Sequence, residues 1–144
     1  MTHENESRWS DVLFLVALGR CAGTGACPLS AVIAAADAIE HSVMNFEEVS
    51  SAMVRLERRG LIAVDVEPLR LRCTDEAREL VLPALAAHPN PLDACRALEQ
   101  RLGVRPWVRG EPLPHPDNAL VHPALSEDDY RREVAAYLAG ARSR

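Results

Sequence analysis

The apolar residues in the middle of the chain repeat first at helical spacing and then at strand spacing. Between Asn45 and Gly60, four apolar side chains are spaced i, i+3, i+4 and i+7, as on one face of a helix. They are Val49, Ala52, Met53 and Leu56. A basic last turn followed by Gly60 predicts where this helix ends. Residues 61–66 and 69–73 then alternate around a turn, so the pattern predicts a helix followed by a two-stranded antiparallel ribbon.

Two further helices are predicted before this one. Apolar residues from Trp9 to Ala17 repeat at helical spacing and predict a first helix that is mostly buried. Ser30 is the predicted N-cap of a second, alanine-rich helix at about residues 31–40, and Asn45 is the predicted N-cap of the third. The order predicts a three-helix core that leads directly into the ribbon.

Two more helices are predicted after the ribbon. Thr74 is the predicted N-cap of the fourth helix, but Pro83 lacks a backbone N–H, so we expect this helix to kink or end near Leu82. Asn90 and the following proline predict the start of a fifth helix, which Gly103 ends.

Residues 104–125 differ in composition from the rest of the chain. Five prolines disfavour a regular helix there and favour a stiff, extended arm. Apolar residues are spread along the arm, so we expect it to lie across another surface. That surface is either the core of the same chain or a second protomer.

A last helix is predicted at the C-terminal end. Ser126 is its predicted N-cap, and three acidic residues follow in the first turn. Its apolar side chains share one face: Tyr130, Val134, Tyr137, Leu138 and Ala141. This face must cover a surface. The alternatives are a second protomer, which would give a homodimer through the C-terminal helices or the arm, and the first helix of the same chain.

Composition limits the classes of function. The net charge is −5 and every basic side chain is an arginine, which argues against broad, nonspecific binding to nucleic acid. No apolar run is long enough to span a membrane, and the polar N-terminus does not resemble a signal peptide, so we expect a cytoplasmic protein without membrane contact. Four cysteines without CxxC spacing give little support for a disulfide framework or a zinc site.

The central segment resembles a known family. Residues 48–62, above all Arg-Leu-Glu-Arg-Arg-Gly-Leu-Ile at 55–62, resemble the recognition helix and first wing strand of bacterial winged helix-turn-helix regulators. The likeness covers about residues 9–86. It implies a mainly α fold with a small antiparallel β-wing, in which C-terminal helices are added to the core. The predicted organisation is a polar tail at 1–8, a winged-helix domain with an extra helix at 9–103, the arm at 104–125 and the amphipathic helix at 126–144.

The resemblance implies a transcription regulator that binds double-stranded DNA. In this family the third helix enters the major groove, and the wing touches the flanking backbone or the minor groove. The residues that the resemblance makes candidate DNA contacts are Ser50, Ser51, Val54, Arg55, Arg58, Arg59, Arg70 and Arg72. Strict alternation predicts that Arg70 and Arg72 share the outer face of the ribbon.

Acidic residues on the same surface suggest an alternative. Glu47 and Glu48 begin the third helix, and Asp65 and Glu67 lie at the wing tip, where carboxylates would repel phosphate. Equally, acids in a first turn stabilise the helix dipole and need no partner. The alternative hypothesis is an interaction module that binds protein and not DNA. Its candidate contacts are Glu47, Glu48, Asp65, Glu67, Trp107, Tyr130 and Tyr137.

The histidines give no indication of an enzyme. His41, His88, His115 and His122 have no partner at a catalytic or metal-binding spacing, and exposed loop histidines are the expected outcome. We therefore predict no catalytic residue, no metal site and no cofactor.

Overall fold

Six helices and one two-stranded sheet form the described part of the chain. A computed structural model describes residues 8–22, 25–104 and 120–142. In chain order the elements are α1 Trp9–Ala22, α2 Leu29–Glu40, α3 Phe46–Arg58, β1 Ile62–Val66, β2 Leu69–Cys73, α4 Asp75–Ala87, α5 Pro91–Arg101 and α6 Glu127–Arg142. The fold is mainly α with a small antiparallel ribbon, which confirms the predicted fold class.

Helix α1 lies at the centre of the core. Its residues from Val12 to Leu18 are at most 2% exposed, and the helix contacts α2, α3, β2, α4 and α5. A helix that is apolar on all sides is stable only when other elements cover all of its sides, and the apolar residues of α1 are covered in this way. The prediction of a mostly buried first helix is confirmed.

Helix α3 and the ribbon form as the pattern predicts. Asn45 and Glu48 make a reciprocal capping box, with N···O distances of 2.8 and 3.1 Å, which fixes where α3 begins. The predicted apolar face is buried. Gly60, at φ +72°, ends the helix. Strands β1 and β2 then pair antiparallel, with Ile62 opposite Cys73 at one end and Val66 opposite Leu69 next to the turn.

One residue before α2 joins the ribbon, a feature that the sequence did not predict. Cys27 and Leu71 exchange two backbone hydrogen bonds, each 2.9 Å, in an isolated antiparallel bridge. Strand β2 is therefore paired on both sides at Leu71, and the segment before α2 is tied to the ribbon.

Two predicted details are wrong. Helix α2 begins two residues earlier than predicted, at Leu29 with Pro28 at the N-cap, and the backbone N–H of Ser30 donates to Glu133 of α6 at 3.0 Å. The predicted end of helix α4 near Leu82 is not observed, because the helix continues through Pro83 to Ala87. The residues beyond this proline pack against the core, which holds the last turn in place despite the missing hydrogen bond.

Helix α6 packs on α2 of its own chain. The hydroxyl of Tyr130 donates to the carbonyl of Met44, and the hydroxyl of Tyr137 donates to the carboxylate of Asp37. Ser126 caps the helix as predicted, because its hydroxyl accepts from the backbone N–H of Asp129 at 3.1 Å. Of the two alternatives for this face, packing on the same chain is observed, but against α2 and not against α1 as that alternative had it; the homodimer stays a prediction.

Candidate interaction surface on the third helix and the wing

The outward face of α3 is covered by residues 120–125, which we call the strap. The hydroxyl of Ser50 donates to the carbonyl of Leu120 at 2.8 Å and accepts from the backbone N–H of His122 at 2.8 Å. The hydroxyl of Ser51 accepts from the backbone N–H of Leu120, also at 2.8 Å. These two serines are only 0% and 5% exposed. The end of the predicted arm therefore lies on its own core.

Two side chains of the strap anchor it. Leu125 is buried in the core. The ring of His122 is also buried; its Nε2 lies 2.9 Å from the carboxylate of Glu57, and its Nδ1 accepts from the backbone N–H of Ala124 at 3.0 Å. Since Nδ1 is an acceptor, the ring carries its proton on Nε2 and donates to Glu57. The expectation of an exposed His122 is wrong, because the strap places its ring against α3, where Glu57, 65 positions earlier, binds Nε2.

Arg55 forms a buried ion pair with Asp11. Its Nε and Nη2 atoms donate to the two carboxylate oxygens of Asp11 at 2.7 and 3.0 Å. Both side chains are almost fully buried, so the pair joins α3 to the first turn of α1. A guanidinium matched to a carboxylate in this way cannot also reach a base or a phosphate.

Four of the eight candidate DNA contacts are therefore inaccessible in this conformation. Ser50, Ser51, Val54 and Arg55 are each at most 8% exposed. The expectation that they lie on an open face of the helix is corrected by the structure. Contact of Ser50 and Ser51 with DNA would require the strap to leave α3, and contact of Arg55 would require its ion pair with Asp11 to break.

The other four candidates lie nearer to solvent. Arg58 and Arg72 are exposed, and so is Arg59, which donates to the carbonyl of Leu102 at 3.1 Å. Arg70 is half-buried and lies opposite Asp65 in the ribbon, so opposite charges face each other across the strands.

The predicted acidic residues divide into two groups. Glu47 is exposed at the start of α3, whereas Glu48 is used in the capping box. At the wing tip Asp65 and Glu67 are exposed on either side of Val66, whose side chain is 63% exposed. The tip therefore carries an exposed apolar side chain with an acidic residue on either side of it in the sequence; because side chains alternate along a strand, Val66 and Asp65 lie on opposite faces of the ribbon.

The aromatic candidates for interaction are used inside the chain. Tyr130 is half-buried, and its ring centroid lies 5.8 Å from that of Phe46. Burial raises the pKa of Tyr130, and the nearby carboxylates of Glu48 and Glu47 raise it further. Tyr137 is also half-buried on α2. Trp107 lies outside the described residues.

The structure places two cysteine side chains together that the sequence left apart. The Sγ atoms of Cys21 and Cys27 are 3.1 Å from each other. Their spacing matches no CxxC motif, so the sequence gave no signal for the pair.

The remaining chemistry of the described ranges is sparse. His41 is exposed, and His88 caps the end of α4, whereas His115 lies outside the described residues. Within residues 8–22, 25–104 and 120–142, no three His, Cys, Asp or Glu side chains form a group that could hold a metal ion. No helix in those ranges has both the length and the apolar character needed to cross a bilayer.

Comparison of the chain with protein-family models, with curated proteins and with solved structures finds no match. The likeness to winged helix-turn-helix regulators therefore depends on the residues and the order of elements described above.

Proposed function

We propose that this chain is an acidic winged-helix module that binds another protein through its wing and does not read DNA with α3. The observation that carries the proposal is that Ser50 and Ser51 are buried under the strap, while Arg55 is held by Asp11 and Val54 is also buried. These are the side chains through which a winged helix would read base edges.

The energy needed to expose that face supports this choice. Displacing the strap breaks four hydrogen bonds of 2.8–2.9 Å between it and α3, besides the longer 3.4 Å contact from the hydroxyl of Ser51 to the carbonyl of Leu120. Each contributes a net stabilisation of about 1 kcal/mol, and burial of Leu125 contributes about 2 kcal/mol. Opening therefore costs roughly 6 kcal/mol, which would weaken DNA binding by a factor of about 10,000.

Charge supports the same choice. The chain carries a net charge of −5, and the accessible end of the wing is acidic. Phosphate is repelled by such a surface, whereas a basic protein surface with a small apolar pocket complements Asp65, Glu67 and the exposed Val66. The proposed partner is therefore a positively charged protein segment.

The wing proposal is tested with the full chain and an array of peptides that combine arginine or lysine with apolar residues. Peptides that bind the unmodified protein are expected to bind Asp65→Asn/Glu67→Gln at least tenfold more weakly, since both charges that they meet are gone. The matched control is Glu79→Gln/Asp93→Asn, which removes two exposed charges elsewhere. The proposal is contradicted if both double variants lose peptide affinity equally. It is also contradicted if no peptide of the array binds the unmodified protein.

DNA binding by a transcription regulator is the second candidate. It is favoured by the succession of three helices and a ribbon, and by the exposure of Arg58 and Arg72. Fluorescence anisotropy with random-sequence duplexes at about 50 mM and 200 mM salt distinguishes the two functions. We expect no binding at either salt concentration. Tight binding at the lower one that falls steeply with salt and is lost in Arg58→Ala/Arg72→Ala would establish the DNA function instead.

A further inference from the structure

The thiols of Cys21 and Cys27 lie within reach of bond formation. Their Sγ atoms are 3.1 Å apart, so closing a disulfide of about 2.05 Å requires them to approach by only about 1 Å. Cys21 is in the last turn of α1 and is half-buried, whereas Cys27 precedes α2 and is 7% exposed. Both are free thiols.

Backbone structure on both sides holds the two sulfur atoms together. Cys21 is part of α1, whose preceding turns form the centre of the core. Cys27 is fixed by its two 2.9 Å backbone hydrogen bonds to Leu71 of β2. The short distance between the sulfurs is thus set by two elements that pack independently of the thiols.

The two thiols differ in reactivity. The side-chain hydrogen bond from Cys27 lowers the pKa of Cys21, and the same contact raises the pKa of Cys27. The positive charge of Arg70 acts on Cys27 in the opposite direction, in favour of its ionisation. Since the thiolate is the nucleophile, the more exposed Cys21 is the one that attacks an incoming electrophile.

The other two cysteines have more buried side chains and serve as internal references for oxidation. Cys73 and Cys95 are at most 1% exposed. Burial raises the pKa of Cys73 to about 11 and that of Cys95 to about 12. Buried thiols that stay protonated react slowly with oxidants.

We propose that Cys21 and Cys27 form a redox site for hydroperoxides, in which Cys21 is oxidised and Cys27 closes the disulfide. The Cys21 thiolate attacks the O–O bond of hydrogen peroxide or an alkyl hydroperoxide; one oxygen is transferred to sulfur as a sulfenic acid, and hydroxide or alkoxide leaves. The Cys27 sulfur then attacks the sulfenic sulfur; the S–O bond breaks, and the thiol proton leaves with the oxygen as water. The two thiols lose two electrons in total, and the peroxide gains them.

Oxidation at this site connects the end of α1 covalently to the residue that is paired with the wing. Reduction by a dithiol reverses the reaction through thiol–disulfide exchange. This inference is independent of the partner proposed for the wing, because it depends on neither the strap nor the acidic tip.

Peptide mapping tests the proposal on the full chain. The chain has arginine and no lysine, so trypsin leaves Cys21 and Cys27 together in peptide 21–55, Cys73 in peptide 73–78 and Cys95 in peptide 79–96. The native protein is treated with a small excess of hydrogen peroxide, then denatured, alkylated and digested. We expect peptide 21–55 to lose both alkylation sites and two hydrogen atoms of mass, whereas the other two peptides remain alkylated. Dithiothreitol added before alkylation restores both sites.

Two variants define the roles of the sulfurs. In Cys27→Ser the Cys21 sulfenic acid has no resolving thiol and is expected to be trapped by dimedone; Cys73→Ser should behave like the unmodified protein. The proposal is overturned if peptide 21–55 keeps both alkyl groups while peroxide is consumed. It is also overturned if Cys73 and Cys95 are oxidised as fast as Cys21 and Cys27. A disulfide that joins two chains would also overturn it. The wild-type map decides the matter even where a variant folds poorly.

Discussion

Replacing Ser50 with alanine removes the hydroxyl that holds the strap on α3. This hydroxyl donates to the carbonyl of Leu120 and accepts from the backbone N–H of His122, both at 2.8 Å, and Ser50 is completely buried. Alanine is the better helix former, so any loss of stability reports the missing contacts and not a weaker helix.

The expected magnitude follows from these contacts. Two hydrogen bonds, each with a net contribution of about 1 kcal/mol, are lost. The carbonyl of Leu120 retains a weaker bond from Ser51 at 3.4 Å, whereas the buried N–H of His122 is left without a partner. Residue 50 is helical whether the strap is open or closed, so the higher helix propensity of alanine does not enter this difference. The strap should therefore open about 2 kcal/mol more easily, which raises its open population roughly 30-fold.

Hydrogen exchange followed by mass spectrometry measures this change directly. Peptides that contain residues 120–125 should exchange about 30-fold faster in Ser50→Ala, because exchange in that segment reports local opening. Peptides from the centre of α1 should exchange at nearly the wild-type rate if only the strap opens. Ser42→Ala is the control, since Ser42 is exposed in the turn between α2 and α3.

Unchanged exchange in residues 120–125 of Ser50→Ala would refute the reasoning. The strap would then be held by its apolar anchor alone, and the cost assigned to opening it would be too high. The argument that α3 does not read DNA would then be weaker, because it depends on that free energy of opening.

Three further predictions follow from the core. Asp11→Ala should lower the free energy of unfolding by about 3–5 kcal/mol, because it leaves Arg55 buried without a counter-charge; a loss below about 1 kcal/mol in urea unfolding would show that water solvates the pair. Gly19→Ala should cost about 1–3 kcal/mol, since its added Cβ would lie 2.5 Å from Cγ1 of Val81, and Val81→Ala should restore part of the loss; a neutral Gly19→Ala would contradict this close approach. Burial raises the pKa of Cys95 from 9.0 to about 12, so the folded state keeps this proton more tightly, and stability should fall as pH rises through that range. Urea titrations of Cys95→Ala should show a smaller fall, and equal slopes would argue against the effect.

Local patterns predicted the elements of this fold well. The apolar face of α3, its cap at Asn45 and the ribbon all follow from signals within a few residues, and the structure confirms them. The continuation of α4 through Pro83 did not follow, because tertiary packing beyond the proline outweighs the loss of one hydrogen bond. Propensity indicates where a helix is weak, and packing decides whether it ends there.

Contacts between distant segments were the part that the sequence could not predict. The partner of Arg55 lies 44 positions earlier, and the partners of Ser50 lie about 70 positions later. No spacing rule joins such residues, since the intervening elements decide which surfaces meet. The thiol pair was missed for a related reason: its short distance comes from the pairing of Cys27 with the ribbon, which no motif encodes.

The same chemistry explains why the outward face of α3 suggested DNA. Serine hydroxyls and an arginine are the groups that bind base edges and phosphates, but they bind a passing backbone and a buried carboxylate equally well. Ser50 satisfies both a carbonyl and an N–H of the strap, and Arg55 is matched to Asp11 by two hydrogen bonds. A winged-helix likeness thus predicts which side chains form polar contacts on this helix, while the partner of those contacts depends on what the rest of the chain places over it. Because the strap belongs to the same chain, its local concentration exceeds that of any duplex, and DNA would have to compete with it before reaching a single base.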